Sequence, residues 1–94
     1  MQATPPPVRH DIAGRRFTLS IDGQTALADY LLEDGRMVCT HTYVPPALRG
    51  RGLAGLLVHA VLDHARSHHL RVVPACSYVA AFIEQHPEFG DLLA

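Results

Sequence analysis

Between Val44 and Ala54 the chain reads Val44-Pro45-Pro46-Ala47-Leu48-Arg49-Gly50-Arg51-Gly52-Leu53-Ala54, a composition suited to holding an anion. Glycine removes side-chain bulk so that successive backbone N–H groups can converge on one point. Where such a turn opens a helix, the helix start adds roughly half a positive charge. Arg49 and Arg51 add formal charge beside the glycines. A pyrophosphate fits this seat. A tight strand-to-helix connection with no ligand is the plainer reading of the glycines alone, and the two arginines weigh towards binding.

Other residues carry chemistry of their own. Cys76 stands just ahead of Ser77 and a helical stretch, where the positive helix end lowers a thiol below its usual ~8.5 and makes it a nucleophile; the plainer alternative is a small apolar residue at a strand end. Tyr78 follows on the same segment and has a hydroxyl to donate. His41, an imidazole of the kind most often used for general base work, alternates onto one face with Met37, Cys39 and Tyr43 and is a candidate base. Glu33, ending the neighbouring strand, is a second candidate base acting through water, or a solvated turn residue. Cys39, in mid-strand, reads as core. His64 and His68 lie at i, i+4 on one helix face, a spacing that metal sites use. No acidic or thiol ligand is placed beside them, so a packed or rim histidine is the stronger reading and no metal is expected.

Several function classes fall away. Gly50-x-Gly52-x-x-Gly55 satisfies the dinucleotide fingerprint. It follows a meander instead of opening a βαβ unit, no acidic residue ends the next strand, and too little chain remains for a Rossmann half. No Gly-Lys-Ser/Thr follows, which excludes an ATP loop. Eight basic residues, all arginine, against nine acidic ones leave a net charge of −1, so no global field draws nucleic acid or an anionic membrane. No apolar run approaches the ~20 residues of a membrane span, and no charged-then-apolar leader opens the chain. The cytoplasm is the expected compartment, with Cys39 and Cys76 as free thiols.

The elements that must position these residues follow from periodicity. Ninety-four residues, 48% hydrophobic and 18% charged, make one compact unit. Residues 1–8 read as a Pro-rich frayed arm and 9–94 as the domain. Phe17, Leu19 and Ile21 alternate with polar residues from Arg15 onward, as a half-buried strand requires. Asp22-Gly23 and Asp34-Gly35 then punctuate strands over about Thr25 to Glu33 and Arg36 to Val44, a hairpin signal because both central turn positions need positive φ. Leu53, Leu57, Ala60, Val61, His64 and Ala65 have helical spacing up to about His68. Leu70 to Val73 is a short buried strand, and Ser77 is a candidate cap for a last helix carrying Val79, Phe82, Ile83 and His86. The expected fold is α/β (α+β): a three-stranded antiparallel meander, a helix, a parallel strand reached by a right-handed crossover, and a C-terminal helix, in three layers.

The loop resembles that of the GCN5-related N-acetyltransferases, which reads Gln/Arg-x-x-Gly-x-Gly/Ala; here it is Arg49-x-x-Gly52-x-Ala54. The wider pattern, His41-Thr42-x-Val44-Pro45, Val73-Pro74-x-Cys76-x-Tyr78-Val79 and His86-Pro87-Glu88, resembles a small single-domain branch of that family over about Arg15 to Leu93. The resemblance implies a minimal form of the family fold and acetyl-CoA as cosubstrate, held between the Arg36 to Val44 strand and the diverging Leu70 to Val73 strand. Its pyrophosphate would lie on Arg49, Gly50, Arg51, Gly52, Leu53 and Ala54, and its thioester near the N–H groups of Tyr43 and Val44. It also implies an amine acceptor and N-acetyl transfer. The alternative is a CoA-binding or protein-interaction module of the same fold with little transferase activity. Two departures stand out. Family members insert two helices after the first strand, where this chain has a tight Asp22-Gly23 turn, and they protonate the departing CoA thiolate from a tyrosine where this chain carries Phe82. Tyr78, one turn earlier, is the replacement. His41, Cys76 and Tyr78 are thus the expected catalytic residues.

Overall fold

The computed structural model describes residues 7–94. Five strands form one sheet in the order β1 (Arg9–Asp11), β2 (Arg16–Ile21), β3 (Gln24–Glu33), β4 (Arg36–Tyr43) and β5 (Arg71–Pro74). The first four pair antiparallel, and β5 runs parallel to β4. Helix α1 (Leu53–Ser67) supplies the crossover and α2 (Ser77–Gln85) follows β5, with short 3-10 turns at Pro46–Leu48 and Pro87–Leu92.

The two Asp-Gly turns behave as their chemistry requires. Asp22 and Gly23 have φ of 52° and 76°, and Asp34 and Gly35 have φ of 49° and 76°, the left-handed pair of a tight hairpin. The meander expected from them is present, with one strand more. Of the arm placed over residues 1–8, residues 1–6 lie outside the described residues, Val8 packs against the core, and Arg9–Asp11 pairs with Thr18, Phe17 and Arg16. Three residues carry no readable alternation. What holds this edge strand is His10, stacked on Phe17 at 4.0 Å and hydrogen-bonded through Nε2 to Tyr30 Oη at 2.6 Å.

The core lies on one side of the sheet. Phe17 pairs with Ala28, Leu19 with Ala26, Tyr30 with Cys39 and Met37 with Val72, and all eight are buried on the face that the helices cover. Helix α1 meets them with Leu53, Leu57, Val58, Val61, Leu62 and Ala65, and α2 with Val79, Phe82 and Ile83. The stripe on α1 is wider than its expected form: Val58 and Leu62 are fully buried, whereas Ala60 and His64 sit at its rim. The opposite face, with Thr18, Leu27, Leu31, Val38, His41 and Tyr43, contains no fully buried residue. The molecule therefore has two layers instead of the expected three, because α1 and α2 pack against each other on the same face: a Cβ added at Gly55 would lie 3.7 Å from the Phe82 ring.

Ser77 does not cap α2. Cys76 occupies the N-cap position and Ser77 is the first helical residue. At the C-terminus Arg66 forks onto Asp91 at 2.8 and 2.9 Å and reaches Glu88 O, closing the Pro87–Leu92 turn over α1.

Candidate active site

A bulge near the end of β4 decides which side chains reach the site. Asp29 pairs with His41 and Tyr30 with Cys39, so Thr40 is an extra residue in β4. An inserted residue reverses the alternation beyond it. Met37 and Cys39 face the helices. Past the bulge Thr42, paired with buried Ala28, takes that face, while His41, paired with Asp29, and Tyr43, paired with Leu27, turn to the open one. The expected grouping of His41 and Tyr43 with Met37 and Cys39 is thus corrected, since uninterrupted alternation does not survive Thr40.

Beyond the Cys39–Pro74 pair, β4 has no strand neighbour on its β5 side. The chain leaves β5 at once: Cys76 N–H bonds Cys39 O at 2.8 Å, and α2 begins. A cavity of about 450 Å³ opens where the strands part, lined by Thr42, Tyr43, Val44, Leu48, Arg49, Gly50, Gly52, Leu53, Ala54 and Tyr78. Seven of the eight residues expected at the cosubstrate loop line it. Arg51, exposed, does not. Thr42 and Leu48 are additions; Leu48 is buried by the turn that Pro45 and Pro46 start.

The loop leaves a run of backbone donors free. Gly50 and Gly52 have φ of 83° and 74°, a conformation that side chains resist. As a result the N–H groups of residues 50–55 have no backbone acceptor among the described residues, and the first bond back into the chain is Leu56 N–H to Gly52 O. Six consecutive N–H groups without a backbone partner, three in the loop and three in the first turn of a fifteen-residue helix, are donors of the kind that an anion at a helix start can satisfy. Arg49 is anchored beside it, its Nε donating to Val44 O at 3.0 Å. That bond ties the loop to the end of β4, a structural duty that charge alone did not suggest.

The remaining candidates separate cleanly. Tyr78 lines the cavity and its hydroxyl faces Gly55, 3.8 Å from where a Cβ would stand. Phe82, one turn on, is packed between α1 and the His86 ring, 3.9 Å away. Cys76 Sγ lies 3.7 Å from Thr42 Oγ1. Partial burial pushes its thiol up, but the N–H of Val79, the Thr42 hydroxyl and the N–H groups of Tyr78 and Thr42 outweigh this and leave it below the ordinary thiol value. The Cys76 side chain makes no cap hydrogen bond to the N–H groups of α2. Cys39 is buried, and that burial pushes its thiol up to about 12; both thiols are free. Glu33 pairs with Arg36 at the opposite end of β4, roughly 20 Å from the cavity at strand rise, and takes no part in this site. His64 and His68 stack face to face at 3.9 Å, and among the described residues no three metal-binding side chains converge on one point.

Comparison with known proteins gives this geometry its family. Residues 16–92 match the model of the GCN5-related N-acetyltransferase family. The chain belongs to that family. Its relatives include Protein NATD1 of cattle, 37% identical over 89 residues, and Protein NATD1 of human, 35% identical over 89 residues; each alignment covers 92% of this chain and 79% of the relative. The solution structure of a GCN5-like putative N-acetyltransferase from Staphylococcus aureus superposes with a TM-score of 0.74 at 23% identity, covering 94% of this chain and 87% of that one. The minimal acetyltransferase fold, with its meander, crossover helix, parallel strand and last helix, is the architecture of this member. No helix among the described residues is long and apolar enough to cross a membrane.

Proposed function

We propose that this acetyltransferase-family protein binds acetyl-CoA in the cavity between β4 and α2 and passes the acetyl group directly to an amine. The observation that carries the reading is the run of unpaired N–H groups over residues 50–55 at the head of α1, with left-handed Gly50 and Gly52 keeping the approach open. These donors and the Arg49 and Arg51 guanidiniums hold the pyrophosphate. The pantetheine arm then follows the free edge of β4 past Thr42, Tyr43 and Val44, where backbone N–H groups polarise the thioester carbonyl.

The bulge separates the two proton transfers that the reaction needs. His41, exposed on the open face, is the base for the incoming amine. That face lacks the two helices that wall it elsewhere in the family, so the acceptor meets a flat, uncovered surface. The departing CoA sulfur lies on the helix side, where Tyr78 and Cys76 stand as donors. No metal takes part in this scheme, and the cytoplasm is the proposed compartment.

Titration calorimetry with acetyl-CoA, followed by mass spectrometry of amine, peptide and protein acceptors, tests the proposal. One molecule of acetyl-CoA bound per chain and an acetylated product are expected. Absence of binding overturns it. The open face favours one second reading, a CoA-binding module with little transferase activity, and that reading predicts binding with no product from any acceptor.

A further inference from the structure

The bulge at Thr40 has a chemical consequence at Thr42. Paired with Ala28, Thr42 faces the helices; it lines the cavity and also lies 3.7 Å from Cys76 Sγ. Cys76 cannot drift from it, because its N–H is bonded to Cys39 O at 2.8 Å and its own carbonyl accepts Ala80 N–H in the first turn of α2. We propose that Thr42 is a positioning residue whose hydroxyl holds the Cys76 thiol at the cavity, so that Cys76, more than Tyr78, supplies the proton taken up by the departing CoA sulfur. This role rests on the acetyl-CoA reading above.

A hydroxyl suits the task because it both accepts and donates. While Cys76 is a thiol, its S–H donates to Thr42 Oγ1; once the proton has left, the Thr42 O–H turns and donates to the thiolate. In the transfer step the amine lone pair forms the C–N bond, and the C–S bond breaks with its electron pair on the CoA sulfur. That sulfur takes the Cys76 proton. The proton shed by the new amide nitrogen then returns through water to Cys76, so the side chain ends as it began. Proton transfer between two thiols exchanges like for like and is therefore nearly balanced. Tyr78 Oη has no hydrogen-bond partner among the described residues to stabilise its anion.

The test compares Thr42→Val with Thr42→Ser in the full chain. Iodoacetamide alkylation is followed against pH and mapped by peptide mass spectrometry, and circular dichroism checks the fold. Cys39, buried and pushed up to about 12, is silent, so the profile reports Cys76. Thr42→Val is expected to move the profile to higher pH and slow alkylation at pH 7 about threefold, a shift of roughly half a pKa unit. It should also lower kcat by a larger factor than it raises KM for acetyl-CoA. Thr42→Ser should restore both, and Cys76→Ala should lose more of kcat than Tyr78→Phe. An unshifted profile in a folded Thr42→Val protein, failure of serine to rescue, or the larger kcat loss in Tyr78→Phe overturns the proposal. If Thr42→Val does not fold, Thr42→Ala carries the same comparison. If the protein binds no acetyl-CoA, the cosubstrate reading and the proton-donor role fail together. A shifted alkylation profile then still supports the Thr42–Cys76 contact, and an unshifted one overturns that as well.

Discussion

Gly52→Glu separates strain from recognition when it is set beside Gly35→Glu. Gly52 has φ of 74° and Gly35 of 76°, and a Cβ at either position meets nothing within 4 Å. The folding penalty is therefore the same for both: the left-handed conformation, worth roughly 1–2 kcal/mol for a residue with a side chain. In a chain this short each kcal/mol lowers Tm by about 4–8 °C, and with a typical stability of about 5–15 kcal/mol both variants stay folded. Their consequences for acetyl-CoA differ. Gly35 lies in the turn beyond Arg36, at the far end of β4 from the cavity. Gly52 lies in the N–H array itself, where a carboxylate about 4 Å from a phosphate costs roughly 1 kcal/mol in water and roughly 4 kcal/mol in a partly desolvated site. Weakening by between about fivefold and about a thousandfold is expected for Gly52→Glu, and no change for Gly35→Glu. Calorimetry gives the affinities and thermal melts the stabilities. Equal affinity in the two variants would refute the placement of the pyrophosphate.

Arg49→Ala should weaken acetyl-CoA binding about tenfold at low salt and less at high salt, because exposed charge attraction is screened; Arg49→Lys keeps the charge but loses the bond to Val44 O, so recovery should be partial, as titrations at two salt concentrations will show. His41→Gln should lower kcat at least about tenfold while leaving acetyl-CoA affinity intact, which steady-state kinetics beside calorimetry tests. Stability should fall on acidification: desolvation and then His68 lower His10, and desolvation, His68 and His10 lower His64, with Asp11 opposing at His10. These imidazoles bind fewer protons folded than unfolded, so their contribution is complete above ~6.5 and is lost as pH falls through their folded values. Urea midpoints between pH 7.5 and 5 will show it, and His64→Gln should flatten the slope.

The elements were legible wherever one local rule decided them. The Asp-Gly turns, the prolines that end β4 and the helical period of α1 each follow from neighbours in sequence and stand where those rules place them, although the buried stripe of α1 is centred on Val58 and Leu62 and leaves Ala60 and His64 at its rim. So does the loop, since glycine positions with positive φ are a local matter. What escaped depended on tertiary contact. Arg9–Asp11 is a strand because His10 finds Phe17, Tyr30 and His64 across the fold, and nothing in three residues announces that. Layer count escaped for a related reason: half-buried Thr18, Leu27 and Val38 read as strand residues whether a helix covers them or not.

The bulge is the most instructive of these failures, because it changes chemistry and not merely shape. Period-two alternation placed His41 with Cys39, on the side of the cavity. A single extra residue, Thr40, whose hydroxyl donates to Asp29 O at 3.3 Å, sends His41 to the open face and brings Thr42 to the cavity. In the proposed reaction two consecutive residues of one strand thus address opposite sides of the chemistry: His41 the amine that must lose a proton, Thr42 and its neighbour Cys76 the sulfur that must gain one. A domain without the family's two extra helices has few surfaces on which to keep a base and an acid apart. Deleting Thr40 would remove the bulge yet leave Cys39 opposite Tyr30, His41 opposite Asp29 and Thr42 opposite Ala28, so His41 would stay on the open face and Thr42 at the cavity. Turnover and acetyl-CoA binding are both expected to survive in a folded Thr40-deleted protein, as steady-state kinetics and calorimetry will show, since the faces of His41 and Thr42 are kept and the N–H groups of residues 50–55 belong to α1 and its loop; loss of turnover alone would refute the assignment by faces.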